Sequence, residues 1–119
     1  ACARWARQGG YEMNEDVQTL SRIRSLERLY RDGYRSKVID ATIDKLIAME
    51  SMALERELAD LENHLREFEL QYHLTSDEFY SRFRNGEMGD SADMFEWSAF
   101  YQMRASVLKR LETLRSEAA

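Results

Sequence analysis

Proline is absent from the 119 residues, cysteine occurs once, histidine twice and glycine five times. Without proline, no helix is forced to kink or end by a missing backbone donor. The lone thiol, Cys2, cannot supply an internal disulfide framework or a cysteine-rich zinc site, and reads as an incidental terminal thiol. No apolar run approaches the ~18 residues of a membrane span, so a membrane partner is not expected. The first residues carry no apolar h-region of a secretory signal. A single-domain cytoplasmic protein is the expectation these absences leave.

Charge and helix-forming aliphatic residues are what the chain has in quantity. Charged residues make up 33% and apolar residues 44% of it. That is the composition of a helical bundle or coiled coil, with more apolar surface than a disordered chain has. Residues 36–72 read as one uninterrupted helix, free of glycine, with Ser36 as its N-cap. Leu54, Leu58, Leu61, Leu65, Phe68 and Tyr72 recur at alternating steps of four and three, the heptad seam of a coiled coil. Upstream, Ile39, Ile43, Leu46 and Ile47 hold a register one residue out of step, which alters supercoiling without ending the helix. A helix of this length spans roughly 55 Å and needs long partners. The seam is therefore expected to pair with a second copy, as a homodimer or higher oligomer.

The remaining elements are set by their punctuation. Residues 1–12 do not match the rest of the chain in pattern and read as a disordered extension, with a single helical domain over residues 13–119. Val17, Leu20, Ile23, Leu26 and Leu29 or Tyr30 mark an amphipathic helix over 17–32, stopped at Gly33. Thr75 with Glu78 forms a capping-box pattern opening a short helix over 76–85. A glycine-punctuated acidic turn leads, through Asp90 or Ser91 as N-cap, to a last helix over 91–116. Its acidic residues do not have the alternation of a calcium loop. The expected fold class is all-α: an elongated helical hairpin or bundle built on one long coiled-coil helix.

Seven aromatics, Phe79, Tyr80, Phe83, Phe95, Trp97, Phe100 and Tyr101, fall within 23 residues. At helical spacing such residues usually form core; the alternative is an exposed patch that receives a partner. Charge is divided unevenly. Residues 17–37 carry Arg22, Arg24, Arg28, Arg31, Arg35 and Lys37 against two acidic residues, a balance of +4, whereas residues from 46 onward balance to −7. The basic segment spans a helix, a glycine turn and a capped helix, which has the outline of a helix-turn-helix and makes nucleic acid a candidate ligand. Against that, the second helix runs on too long for a compact recognition helix.

Chemistry is thin. Asp60, His64 and Glu67 share a helix face, but the paired Glu-x-x-His pattern of a di-metal bundle is missing, and solvated charge is the simpler reading. Phosphate loops, nucleophile elbows and Cys–His pairs are absent. The expectation is no enzyme, no catalytic residues, no metal and no cofactor.

Two segments carry a resemblance: Arg35-Ser-Lys-Val-Ile-Asp-Ala-Thr-Ile-Asp-Lys-Leu46, and Ser76-Asp-Glu-Phe-Tyr-Ser-Arg-Phe-Arg-Asn-Gly-Glu-Met-Gly-Asp-Ser-Ala-Asp-Met-Phe-Glu-Trp97. The second resembles a signature of an uncharacterised family of small, mostly helical prokaryotic proteins with a central coiled coil. The resemblance implies the antitoxin-side component of a toxin–antitoxin pair, with a cognate toxin protein as partner. It carries over no catalytic residue. The expected function is thus a non-enzymatic protein-interaction module; the alternative is a DNA-binding autoregulator using residues 17–45.

Overall fold

The structure, a computed structural model, describes the backbone of residues 2–116 and the side chains of residues 16–116. Among the described residues the fold is all-α, with four helices: α1 (Cys2–Arg31), α2 (Lys37–Tyr72), α3 (Ser76–Arg84) and α4 (Ala92–Ser116). The chain divides into two units, Ala1–Thr42 and Ile43–Ala119, with the boundary inside α2. A single domain was the expectation. The division has a physical source: the first unit buries no large apolar side chain among its described residues, whereas the second has two buried clusters.

Helix ends are fixed by local chemistry. The α1 helix stops in a Schellman turn: Gly33 sits at φ +99°, its N–H donates to the Tyr30 carbonyl and the Tyr34 N–H to that of Leu29. A side chain at Gly33 would be strained by that φ, which glycine tolerates. The same device, with Gly86 at φ +77°, ends α3. At the end of α2 the left-handed position falls to His73, at φ +53°, a residue with a Cβ. Ser36 caps α2 through its Oγ, which accepts from the Ile39 N–H at 3.3 Å. Thr75 Oγ1 accepts from the Glu78 N–H at 3.2 Å and opens α3. Of the two candidate caps of α4, Ser91 fills the position, its carbonyl accepting from the Phe95 N–H.

The α1 helix begins at Cys2, upstream of the expected start at residue 17. Its Gly9-Gly10 pair costs about 1 kcal/mol per residue relative to alanine, which weakens a helix without ending it. The reading of residues 1–12 as an extension lies outside the described side chains.

In the second unit, α4 runs back along α2. Leu61 packs with Val107 and Leu111, flanked by Leu54 and Leu58. Arg115, near the end of α4, pairs with Glu55 at 2.8 Å. The other cluster gathers Leu65 of α2, Phe79 of α3, and Met94 and Trp97 of α4. This corrects one expectation. The register of the seam Leu54, Leu58, Leu61, Leu65, Phe68 and Tyr72 holds, but its facing helix is α4 of the same chain. The 25-residue α4, antiparallel to α2, carries Val107 and Leu111 at matching spacing. Intrachain packing of this kind needs no assembly step.

Candidate interaction surfaces

The aromatic residues are mostly core. Trp97 is fully buried and sandwiched, with Phe79 stacked 3.9 Å away on one ring and Phe68 and Tyr72 at 5.5 and 5.6 Å. Burying a tryptophan requires a partner for its indole N–H. That partner is Ser76: Nε1 donates to its Oγ at 3.0 Å, while the Ser76 N–H donates to Glu69 Oε2 at 2.8 Å. The Glu69 carboxylate thereby satisfies an orphan donor at the N-terminus of α3, where negative charge is favoured. Tyr80 stacks on Tyr101 at 4.4 Å, and Phe83 and Phe100 are half-buried against the cluster. Only Phe95 of the seven is exposed, at 57%, with its ring edge-on to Phe83. The cluster is therefore a core with one aromatic at its rim, not an open aromatic patch.

Tyrosine hydroxyls tie elements together. Tyr72 donates to Asp93, joining α2 to α4, and Tyr101 donates to Asp77 Oδ1 at 2.8 Å, joining α4 to α3. Each phenol is held above its ordinary pKa first by that hydrogen bond to a carboxylate, then by burial. Tyr80 shifts the other way, lowered by hydrogen bonding to Arg84 and then Gln102. Within the first unit, Tyr30 Oη lies 2.6 Å from Asp40 Oδ1 and 2.9 Å from the Ser36 carbonyl, clasping the turn between α1 and α2. The sequence showed Tyr30 only as an apolar position. Its polar role crosses a turn, and no short spacing marks it.

The basic candidates separate into two sets. Arg35 is spent on its own turn: its guanidinium bonds to the carbonyls of Tyr30 and Tyr34 and lies 5.0 Å over the Tyr30 ring. Arg31 pairs with Glu27 on the surface. Arg24, Arg28 and Arg31 are spaced i, i+4 and i+7 on α1, hence on one face, and line a shallow groove with Glu27 and Asp32. Arg22 and Lys37 are exposed and make no ion pair among the described residues.

His64 has another use than a ligand. Its ring stacks on Phe100 at 4.5 Å, nearly parallel. Among the described residues no group of three or more His, Cys, Asp or Glu side chains is placed to hold a metal ion. No helix there is long and apolar enough to cross a membrane.

What remains is apolar surface without cover. In the first unit, Val17 (68%), Leu20, Ile23 (56%), Leu26 and Leu29 of α1 are all exposed, as is Val38 at the start of α2. Steps of three move ~60° round a helix each time, so this track is broad, not a narrow seam. In the second unit, Ile43, Leu46, Met49 and Met52 of α2 are exposed, lying before the point where Arg115 of α4 meets Glu55. No family model matches the chain, and neither a curated protein nor a solved structure matches it.

Proposed function

We propose that this chain is a non-enzymatic protein-interaction module that works through the helix faces its own fold leaves open. The observation that carries the reading is the exposure of five large apolar residues at helical spacing on α1. In water, most helix stability comes from packing an apolar face, and scattered single exposures are normal where a repeated track is not. The acidic excess from residue 46 onward adds a preference for a basic partner by steering. An antitoxin component that neutralises a basic toxin protein fits both features, and it is the role the sequence resemblance implies.

The test is binding of the purified chain to the product of an adjacent small open reading frame, followed by calorimetry. Ile23→Asp with Leu26→Asp should abolish binding while leaving the thermal unfolding of residues 43–119 in place. Binding that survives this double substitution would overturn the reading. The competing DNA reading draws on the Arg24, Arg28 and Arg31 face. In that case a mobility shift on the protein's own promoter at low salt should vanish on Arg24→Ala with Arg28→Ala, and should fall steeply with salt.

A further inference from the structure

We propose that Asn85, at the C-terminus of α3, is a site of spontaneous deamidation that the folded turn holds shut and that local opening of α3 exposes. The chemistry is that of an asparagine followed by a glycine. The Gly86 backbone nitrogen loses its proton and attacks Asn85 Cγ. A C–N bond forms, the Cγ–Nδ2 bond breaks, and Nδ2 leaves as ammonia. Water then opens the resulting five-membered succinimide, at the Cγ carbonyl to give aspartate or at the main-chain carbonyl to give isoaspartate. The net exchange consumes one water and the side-chain amide, and yields a carboxylate and ammonia. Glycine is the most permissive follower, because it has no Cβ to crowd the attacking nitrogen. Asn85 is exposed, so water reaches it.

The turn opposes the first step twice. Asn85 sits at φ −86° and ψ +3°. The ring closes only when the Gly86 nitrogen eclipses Cβ, about a third of a turn of ψ away, in sparsely allowed backbone space. That rotation would carry off the Gly86 N–H, which donates to the Phe83 carbonyl at 3.0 Å, and the Glu87 N–H, which donates to that of Arg82 at 2.9 Å. The first of these bonds also holds the proton that the nitrogen must lose. Both are closing bonds of the Schellman turn, so the turn and the reactive geometry exclude each other.

Packing, not length, keeps this turn. The α3 helix has nine residues, below the roughly 12–15 at which an isolated helix is even marginal. Its hold is Phe79, fully buried on Trp97, and Phe83, half-buried against Phe79 and Phe95. Release of these two rings frees the turn, and local openings of this kind cost less than global unfolding. The product then works against re-closure. Isoaspartate routes the backbone through Cβ and lengthens it by one carbon, so the two turn bonds no longer close the same rings. Opening permits the modification, and the modification favours opening.

The experiment ages the full chain in mildly alkaline buffer, folded and in guanidinium. Peptide mass spectrometry reads conversion at each asparagine, and enzymatic methylation reads isoaspartate. Asn85 should convert at least about tenfold more slowly in the folded chain, because the open fraction sets the rate. In guanidinium it should convert ahead of Asn63, whose follower, His64, carries a side chain. Phe79→Ala loosens α3 and should bring the folded-state rate towards the unfolded one. Sub-denaturing guanidinium on the parent chain reads the same opening should that variant not fold. The isolated isoaspartyl form should unfold at a lower guanidinium midpoint than the parent. Asn85→Gln, whose ring would need six members, should stay unmodified and keep the parent's midpoint after the same ageing. Equal rates at Asn85 in folded and unfolded chains overturn the proposal. So does conversion of Asn63 first in guanidinium, a folded-state rate indifferent to loosening of α3, or an isoaspartyl form as stable as the parent.

Discussion

The two units are built from the same kinds of side chain and use them in opposite ways. Residues 43–119 turn Leu61, Leu65, Phe79, Met94, Trp97, Val107 and Leu111 inward. In the first unit, Val17, Leu20, Ile23, Leu26 and Leu29 stay in solvent. The difference lies in whether a later helix of the same chain returns to face each one. The seam of α2 is met by α4, whose Trp97, Val107 and Leu111 lie on the facing side. A helix without such a counterpart keeps its apolar surface open, however regular its spacing. Apolar periodicity thus predicts that a face will be covered, not by which chain.

The sharpest way to break the contrast is at Trp97. Trp97→Ala removes the side chain on which Phe79, Phe68 and Tyr72 stack and should cost about 3–5 kcal/mol. Urea unfolding followed by circular dichroism would read the loss as a fall in midpoint. A substitution at Leu61 to a charged residue, which a seam between copies would report as dissociation, should instead unfold residues 43–119. Next comes Ser76→Ala. It leaves the buried indole N–H of Trp97 without its acceptor and should cost about 1–3 kcal/mol in the same assay.

Alkaline pH should act on the second unit through its tyrosines. The folded-state pKa of Tyr72 and of Tyr101 lies above the ordinary value of 10.0. A phenol whose pKa is raised by folding contributes stability that is complete below the unfolded pKa and is lost as pH rises through the folded one. Thermal midpoints should therefore be flat through neutral pH and fall above pH 10, and Tyr72→Phe should make that fall shallower. Tyr80, lowered, opposes the trend in part.

Smaller again is His73→Gly. Relief of a left-handed residue bearing a Cβ is worth ~1–2 kcal/mol, and glycine's greater freedom in the unfolded chain takes part of it back. A net gain of about 0.5–1 kcal/mol in the thermal unfolding of residues 43–119 is expected. The smallest effect sharpens the contrast from the other side. Ile23→Ala at high dilution should change stability by less than about 0.5 kcal/mol, because the side chain is exposed. A larger cost that grows with protein concentration would show the α1 track covered by another molecule.

Local signals made much of this fold legible in the sequence. Ser36, Gly33, Thr75 with Glu78, and Ser91 set helix ends through hydrogen bonds that reach only three to five residues, so the residues themselves state the outcome. The heptad register from Leu54 to Tyr72 was readable for the same reason. Its partner was not, because matching α2 to α4 depends on contacts across 46 to 50 residues, as between Leu61 and Val107 or Leu111. The polar ties of Tyr72 to Asp93 and of Trp97 to Ser76 each span 21 residues. No spacing rule marks such pairs in a single sequence. His73 was hidden differently: glycine advertises a left-handed stop, and here a histidine occupies one.

Burial of Trp97 gives the molecule an internal light source. The indole is screened from water, stacked on Phe79 and hydrogen-bonded to Ser76, so its emission should lie well to the blue of free tryptophan. Fixed stacking between aromatic rings should also give it a strong near-ultraviolet dichroism. With Trp5→Phe, the other indole is silent, and every photon then reports on residues 43–119 alone. Opening of that unit would appear as a red shift, and an event confined to α1 would leave the spectrum unmoved.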